Sequence, residues 1–505
     1  MNQIKAGAVL SYLSLGLGNI ISLLYTPFMI RLMGQSEYGL YGLATSVTAY
    51  LGLLSFGFNG AYMRYHALFK AEKNEGEMAK LNGMFLAVFT IAGLLALLGG
   101  GILALFADSI FQWGLTGEEI VKVKILMVIL MCNVAIGLPL NIFASHIAAQ
   151  EKYVFLKLIN LLRTILNPLL MLPLLFLGYR SITMALVSTL LNLLVGGVNI
   201  IYCVKKLNIH FCFRKIPLPL WKDVSVFSSF VFMNMLTDQI NWNVDKFLLG
   251  MFKGTAQVAV YGVGAQFHTY YLSFSSASVS VLVPKINRMV AQKEDNHVLS
   301  ELFARVGRIQ CIILSFILGG FIIFGREFIT MLWAGKDYEQ SYWVGLLLLL
   351  PVTVPLLQGV GLEIQRAKNR HRFRAVVYFM IAVVNLGISI PLCRRFGAVG
   401  AAAGTAVTQF IGAGVLMNWY YEKHLGLHVR YFWKQISRLL PALLLPAVYG
   451  IIYMCFKAKT IPGLLAAMAG YSALFIFSMW RFGMNPYEKG LLLAKFGKNE
   501  KKSES

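Results

Sequence analysis

The chain has 505 residues, of which 58% are hydrophobic and only 13% are charged, and its formal net charge is +23. Soluble domains carry roughly 25% charged residues, and here apolar runs of about 20 residues, long enough to cross a bilayer, recur from one end to the other. These values exclude a soluble enzyme, a nucleic-acid-binding protein and a disordered chain, and they indicate an all-α, polytopic membrane protein.

The apolar runs predict about fourteen membrane-spanning helices, because a span needs about 20 mostly apolar residues. The connections between the runs are short and rich in Gly, Lys, Arg and Glu, so none of them can house a soluble domain. In chain order, the predicted spans lie near 7–30, 38–62, 82–107, 120–145, 154–177, 182–204, 224–250, 256–283, 303–325, 341–363, 374–393, 398–420, 431–456 and 461–481.

The positions of the basic residues orient these spans. If the N-terminus is cytoplasmic, 32 of the 45 Lys and Arg residues fall in cytoplasmic loops or in the C-terminal tail, as the positive-inside tendency predicts. The segment 108–119, which is then outside, carries three acids and no base. We therefore expect both termini in the cytoplasm, and the topology accounts for the positive charge without a nucleic-acid partner.

An internal match indicates a duplication. The segment 34–42 aligns without gaps with 254–262, and both begin with Gly and end in Tyr-Gly. Chance similarity between apolar segments is the alternative. Copies separated by six spans keep the same membrane orientation, which is typical of two parallel lobes. The predicted organisation is a six-helix lobe over 1–204, a cytoplasmic linker over 205–223, a second six-helix lobe over 224–420, two extra transmembrane helices over 431–481 and a cytoplasmic tail over 482–505.

The seventh span carries a polar stripe. A spacing of i, i+4, i+7 and i+11 places four residues on one helix face; they are Asn234, Asp238, Asn241 and Asp245. Polar groups in hydrocarbon are costly unless satisfied, so this face is predicted to meet a wet cavity or another lobe. Lys246 lies about 100° around the helix, and either pairs with an acid on another span or extends toward the membrane surface.

Three segments carry a family resemblance. They are YTPFMIRLMGQSEYGLYGL at 25–43, DKFLLGMFKGTAQVAVYGVG at 245–264 and RFGAVGAAAGTAVTQ at 395–409. With the pattern of six, six and two spans, they resemble the polysaccharide-transporter branch of the multidrug/oligosaccharidyl-lipid/polysaccharide (MOP) exporter superfamily, and the resemblance covers nearly the whole chain. It implies a relative of the bacterial O-antigen and capsule flippases, which move polyprenyl-pyrophosphate-linked oligosaccharides across the cytoplasmic membrane by alternating access.

The resemblance also implies a central cavity lined by spans one, two, seven and eight. Hydroxyl, amide and aromatic side chains there suit sugars, although contacts between helices are the alternative for such residues. Arg64 and Arg163 are the best-placed cations for a pyrophosphate, and a buried ion pair is the alternative for Arg163. The other candidate cavity residues are Asn19, Asn59, Asn234, Asp238, Asn241, Asp245, Lys246, Gln266, His268 and Tyr270. The expected partners are the lipid-linked oligosaccharide, membrane lipid, a polysaccharide polymerase and glycosyltransferases.

Three carboxylates are candidates for coupling transport to H⁺ or Na⁺: Asp238, Asp245 and Glu363. A desolvated carboxylate can exchange a proton or bind a cation. The alternative for Glu363 is a solvated helix end beside the basic run 365–374. Acids in the cavity also leave open a cation-coupled multidrug exporter, and a non-transporting scaffold for polysaccharide assembly is a third possibility.

No catalytic motif is found. The sequence contains no GxxxxGK[ST], HExxH or GxSxG pattern, so we expect neither ATP hydrolysis nor another enzymatic activity. The six cysteines form no CxxC pair, and we expect no metal site, no disulfide and no cofactor.

Overall fold

The structure is a computed structural model that describes residues 3–213, 218–370 and 372–490. Over these ranges the chain is helical and has no strand. The predicted all-α class is therefore confirmed.

The chain divides into two compact units. Unit 1 comprises Met1–Gly262 and Asn385–Ala401, and unit 2 comprises Val263–Val384 and Ala402–Ser505. The predicted lobe boundaries and the linker stay predictions. The first ten helices are α1 (Gln3–Met33), α2 (Gln35–Leu51), α3 (Phe58–Ala71), α4 (Glu75–Leu105), α5 (Ala107–Phe111), α6 (Gly117–Ala149), α7 (Tyr153–Phe176), α8 (Ser181–Lys205), α9 (Leu218–Phe252) and α10 (Thr255–Ser280).

The remaining helices begin after α10, which passes from unit 1 into unit 2. They are α11 (Val283–Ala291), α12 (Asn296–Glu327), α13 (Gln340–Leu357), α14 (Gly359–Ala367), α15 (Arg372–Gln409), α16 (Met417–Lys423), α17 (Val429–Ser437), α18 (Leu440–Phe456) and α19 (Ile461–Ser478). Shorter 3₁₀ segments cover Gly52–Ser55 and Lys336–Tyr338, and π-helical segments cover Phe328–Trp333, Phe410–Leu416 and Met479–Gly483.

The described residues contain ten helices long and apolar enough to cross a membrane, or eleven if the bent pair α17 and α18 is one span. A multi-pass membrane protein is thereby established. The predicted number of fourteen spans stays a prediction. The polar helices α9 and α10 have 35 and 26 residues but are not among the ten. The run Arg372–Lys423 counts once among them, although it has 52 residues and covers two predicted spans.

The second predicted span is interrupted within the membrane part of unit 1. After α2 and its 3₁₀ turn, Phe56 and Gly57 both adopt a left-handed conformation with φ of 45° and 66°, and α3 then begins at Phe58. A positive φ is uncommon for a residue other than Gly, and it is strained for a bulky one. Irregular backbone at membrane depth is tolerated where it is covered by protein or lines a cavity. We therefore expect this break to be covered by neighbouring helices or to line a cavity.

The two copies of the proposed repeat have the same local backbone. Gly34 and Gly254 have φ of 82° and 86°, and each directly precedes a helix, α2 or α10. Glu119, at the start of α6, accepts hydrogen bonds from Ser36 Oγ at 2.7 Å and from Thr255 Oγ1 at 2.6 Å. This similarity agrees with the duplication, and the carboxylate ties the beginnings of α2, α6 and α10 together within unit 1.

A buried ion pair holds the end of unit 2. Arg308 on α12 donates to Glu488 through Nε at 2.7 Å and through Nη2 at 3.1 Å. The guanidinium also donates to the carbonyl oxygens of Gln435 at 2.8 Å and Gly483 at 2.9 Å. The side chains of Arg308 and Glu488 are only 6% and 3% exposed. The first residues of the predicted tail are therefore anchored to α12.

Candidate functional site

The most polar cavity described in unit 1 has a volume of about 400 Å³ and lies among α6, α7, α8 and the interrupted segment between α2 and α3. These helices are all among the membrane-spanning candidates. The cavity wall combines small and apolar residues with amides, a hydroxyl and one guanidinium. The polar members are Ser55, Asn59, Asn133, Asn141, Asn160, Arg163, Asn192 and Asn199.

Helical periodicity brings these residues together. Asn133 and Asn141 are eight residues apart on α6, and Asn192 and Asn199 are seven apart on α8. Spacings of seven and eight return a side chain to nearly the same helix face after two turns. Each of the two helices therefore directs a pair of amides toward one side, and the two pairs meet at the cavity.

Hydrogen bonds connect some of the amides and leave others available. Asn192 Nδ2 donates to Asn133 Oδ1 at 2.8 Å, which links α8 to α6. Ser145 Oγ donates to Asn59 Oδ1 at 3.2 Å. Asn199 is only 6% exposed, and its Oδ1 accepts no hydrogen bond from the described residues. An unsatisfied buried acceptor is costly, so Asn199 favours a ligand or water that donates to it.

Arg163 lies on the wall of two cavities. A second cavity of about 340 Å³, between α1 and α7, is also lined by Arg163 and Asn160, together with Ser22, Tyr25, Thr164 and Asn167. Within the described part of the chain, Arg163 makes no ion pair and no hydrogen bond, so the predicted alternative of a buried ion pair is not observed there. Neither cavity is lined by a carboxylate among the described residues.

The polar stripe of α9 divides into an exposed and a buried half. Asn234 and Asp238 are exposed, whereas Asn241 is 4% and Asp245 is 1% exposed. Tyr261 on α10 donates its hydroxyl to Asp245 Oδ2 at 2.6 Å. None of the four residues lines either of the two cavities. Asp245 therefore contributes a contact between α9 and α10 within unit 1.

The other predicted site residues are dispersed. Asn19 is half-buried on α1, Arg64 is exposed on α3, and Lys246 is half-buried with no ion pair to an acid within the described ranges. Gln266, His268 and Tyr270 belong to unit 2, where His268 and Tyr270 are buried. Glu363, also in unit 2, accepts a hydrogen bond from Arg366 at 2.7 Å and has a half-buried side chain, 14% exposed.

Of the predicted cavity residues, Asn59 and Arg163 line the polar cavity of unit 1, and the assignments of the others stay predictions. Five further asparagines were missed, on α6, α7 and α8. For four of them, the spacing of seven or eight residues within the apolar helices α6 and α8 was the available signal. Among the described residues, no group of three or more His, Cys, Asp or Glu side chains is placed to hold a metal ion.

The fold and the cavity define a multi-pass helical membrane protein with a polar site inside its membrane part. A sequence model described as "Polysaccharide biosynthesis protein" matches residues 4–290. The chain belongs to this family.

Individual relatives agree with this assignment. A putative O-antigen transporter of Shigella flexneri is 19% identical over 407 residues, which is 78% of this chain and 92% of the relative. A probable low-salt glycan biosynthesis flippase of Haloferax volcanii is 23% identical over 256 residues, half of each chain. The uncharacterized membrane protein EpsK of Bacillus subtilis is 21% identical over 501 residues and matches 95% of each chain.

Solved structures share the fold. The lipid II flippase MurJ in an inward closed conformation superposes with a TM-score of 0.66 at 16% identity, over 94% of this chain and 99% of that one. A multidrug resistance MATE family transporter of the MOP superfamily, in an inward-facing conformation, gives a TM-score of 0.60 at 14% identity, over 82% of this chain and 99% of that one. The chain thus has the fold of these two transporters.

Proposed function

We propose that this protein is a flippase that moves the head group of a lipid-linked oligosaccharide across the bacterial cytoplasmic membrane by alternating access. The observation that carries the proposal is the polar cavity of unit 1, which is formed by membrane-spanning helices. Burying polar side chains inside a membrane costs free energy, so they are rare there and mark the pathways of polar substrates. The polyprenyl tail of such a cargo stays in the lipid.

The comparisons support a saccharide as the cargo. Relatives named as an O-antigen transporter and as a glycan biosynthesis flippase match the chain in sequence, and a lipid II flippase shares its fold. The excess of basic residues in alternate loops supports cytoplasmic termini. The glycosyltransferases that build the cargo and the polymerase that consumes it are the expected functional partners, and the chain itself is expected to perform no covalent chemistry.

A cation-coupled multidrug exporter is the second candidate, and the carboxylates of α9 favour it. Asp238 and Asp245, with Glu363, would then bind H⁺ or Na⁺ or attract an organic cation. The same carboxylates can couple the export of a saccharide to an ion gradient, so their presence does not decide between the cargoes. The composition of the two cavities lined by Arg163 is a stronger criterion, since no carboxylate of the described chain lines them.

A transport assay separates these functions. The full chain is reconstituted into vesicles that contain a polyprenyl-pyrophosphate-linked disaccharide in both leaflets, and a membrane-impermeant glycosidase is added outside. Without transport, only the outer-leaflet cargo is cleaved; with this protein, we expect nearly all of it to be cleaved. Empty vesicles and vesicles with an unrelated membrane protein are the controls.

The other outcomes are equally defined. If the inner pool stays protected while the vesicles transport an organic cation such as ethidium, the multidrug function replaces our proposal. If neither cargo is transported, the scaffold function replaces our proposal. The assay is then repeated with a pH or Na⁺ gradient across the vesicle membrane, using wild type, Asp238→Asn, Asp245→Asn and Glu363→Gln. The coupling group is the carboxylate whose loss abolishes the acceleration of transport by the gradient.

A further inference from the structure

The two cavities of unit 1 that Arg163 lines carry charge of one sign only among the described residues. Their polar wall within the described chain consists of amides and hydroxyls plus a single guanidinium, and no carboxylate is present. Such a wall disfavours an organic cation, because a cation would be desolvated next to Arg163 without a counter-charge. It favours neutral polar groups and anions.

Arg163 has charge available for a ligand. Its guanidinium presents five N–H donors, yet it pairs with no acid and donates no hydrogen bond to the part of the chain that the structure describes, although the side chain is half-buried on a membrane-spanning helix. A guanidinium removed from water is stabilised by an anion that accepts several of its hydrogen bonds, and carboxylate and phosphate match its geometry.

The amides around Arg163 suit a saccharide. Each asparagine offers two donors and one carbonyl acceptor, which complement hydroxyl groups that both donate and accept. The Oδ1 atoms of Asn199 and Asn167 are buried and accept no hydrogen bond from the described residues. Asn199 lies in one cavity and Asn167 in the other. Each is therefore an acceptor that a ligand hydroxyl or N–H can satisfy.

The position of Arg163 connects the two spaces. Asn160 and Arg163 are three residues apart on α7 and line both cavities, which have volumes of about 400 and 340 Å³. These volumes are at the small end of the range of ligand pockets. A single sugar unit fits either cavity. An anionic group bound to Arg163 is therefore adjacent to a sugar in either cavity.

We propose that these cavities form a saccharide-binding subsite in which Arg163 holds an anionic group of the cargo and the asparagines bind its hydroxyls. The proposal rests on the proposed flippase function and specifies the cargo further. The anionic group is either a phosphate of the lipid linkage or a carboxylate of an acidic sugar; both offer the same oxygen acceptors.

Binding measurements with three probes test the proposal. The full chain in detergent is titrated with N-acetylglucosamine, N-acetylglucosamine 1-phosphate and glucuronic acid, and binding is followed by saturation-transfer NMR. We expect at least one anionic probe to bind about tenfold or more tightly than the neutral sugar, since a hydrogen bond to a charged group contributes more than a neutral one. Preference for the phosphate identifies the lipid linkage as the source, and preference for glucuronate identifies an acidic sugar.

Variants assign the preference to Arg163. Arg163→Gln is expected to abolish the preference for the anion while retaining weak binding of the neutral sugar, and Arg163→Lys to retain part of the preference. Asn160→Asp introduces a carboxylate one turn from Arg163, which would pair with the guanidinium, so this variant is also expected to abolish the preference for the anion. It replaces Arg163→Gln in the test if Arg163→Gln does not fold. Arg180→Gln is the matched control, because Arg180 is an exposed arginine of unit 1 that lines neither cavity.

Two results would overturn the subsite: no binding of any probe to folded wild type, or an anion preference that survives both Arg163→Gln and Asn160→Asp. The flipping assay on the same preparations keeps the two proposals apart. Flipping without an Arg163-dependent preference rejects the subsite and retains the flippase. Arg163-dependent binding without flipping retains the subsite and rejects the flippase.

Discussion

Replacing Glu488 by alanine tests how the end of unit 2 is held. The carboxylate accepts two hydrogen bonds from Arg308 and one from the backbone N–H of Asn485 at 2.9 Å. Removing one partner of a buried pair leaves the other charge uncompensated and typically costs about 3–5 kcal/mol. The backbone N–H of Asn485 also loses its acceptor, and a lost hydrogen bond of this kind adds about 0.5–1.5 kcal/mol. We therefore expect a large fall in stability.

The stability loss on breaking an ion pair depends on how exposed the pair is, and a neighbouring exposed pair on α12 provides the control. Arg305 and Glu301 lie on the same helix, 3.4 Å apart, with side chains 42% and 51% exposed. An exposed pair of this kind contributes about 0.2–1 kcal/mol. Glu301→Ala is therefore expected to change stability little, and the difference between the two alanine variants isolates the effect of burial.

A double substitution identifies the mechanism. In Arg308→Met with Glu488→Met, both charges are gone, so the penalty of the unpaired guanidinium disappears. The carbonyls of Gln435 and Gly483 then lack their donor, at about 1–3 kcal/mol for each buried acceptor. Because two unpaired carbonyls cost about as much as one unpaired buried charge, the double variant should be clearly less stable than wild type, and its difference from Glu488→Ala measures the balance of the two penalties.

Thermal unfolding of the detergent-solubilised full chain, followed by fluorescence-detected size exclusion, gives the order of stabilities. We expect Glu301→Ala to melt close to wild type, and both Glu488→Ala and the double variant to melt clearly below it. If Glu488→Ala melts at the same temperature as Glu301→Ala, the buried pair does not stabilise the protein and the reasoning from burial is wrong.

Three further changes test unit 1 by the same melting assay. Gly39→Ala would place a methyl group 2.0 Å from the carbonyl oxygen of Thr255 at the start of α10, whereas the new methyl group of Gly42→Ala would meet only a side-chain methyl at 3.6 Å. We expect Gly39→Ala to destabilise the protein by about 1–3 kcal/mol and Gly42→Ala to be tolerated. Equal melting temperatures of the two variants would contradict this packing. Tyr261→Phe removes the bond to Asp245 and should cost about 1–3 kcal/mol; an unchanged melting temperature would show that water replaces the phenol. Glu119→Ala removes the Glu119 side-chain half of the capping box of α6 and the bonds from Ser36 and Thr255. Because these bonds go to a charged acceptor, a loss of about 1.5–3 kcal/mol is expected; full retention of stability would refute a structural role.

Helices and membrane location could be predicted because hydropathy is a local property of the sequence. The break at Phe56 and Gly57 could not, since both residues are compatible with an apolar span and only the backbone reveals their left-handed conformation. The seventh span illustrates the same limit. Its periodicity identified the shared face of the four polar residues, but periodicity does not distinguish the exposed Asp238 from the buried Asp245.

Asn59 and Arg163 were identifiable as polar residues inside apolar runs. The remaining asparagines of the cavity were harder to recognise, because single amides are common between packed membrane helices and only their convergence from three helices distinguishes them. The anchor at Glu488 had a visible signal. The backbone N–H of Asn485 donates to the Glu488 carboxylate, and the backbone N–H of Glu488 donates to Asn485 Oδ1. An Asn followed three residues later by Glu is a recognisable start of a helix.

The amide wall of the unit 1 cavity has an evolutionary consequence. An asparagine codon becomes an aspartate codon through a single base change, and the two side chains have nearly the same size and shape. A wall of asparagines can therefore acquire negative charge one position at a time with little change in side-chain volume. Under the proposed function, the number of aspartates at these positions in a relative is expected to vary with the charge of its cargo.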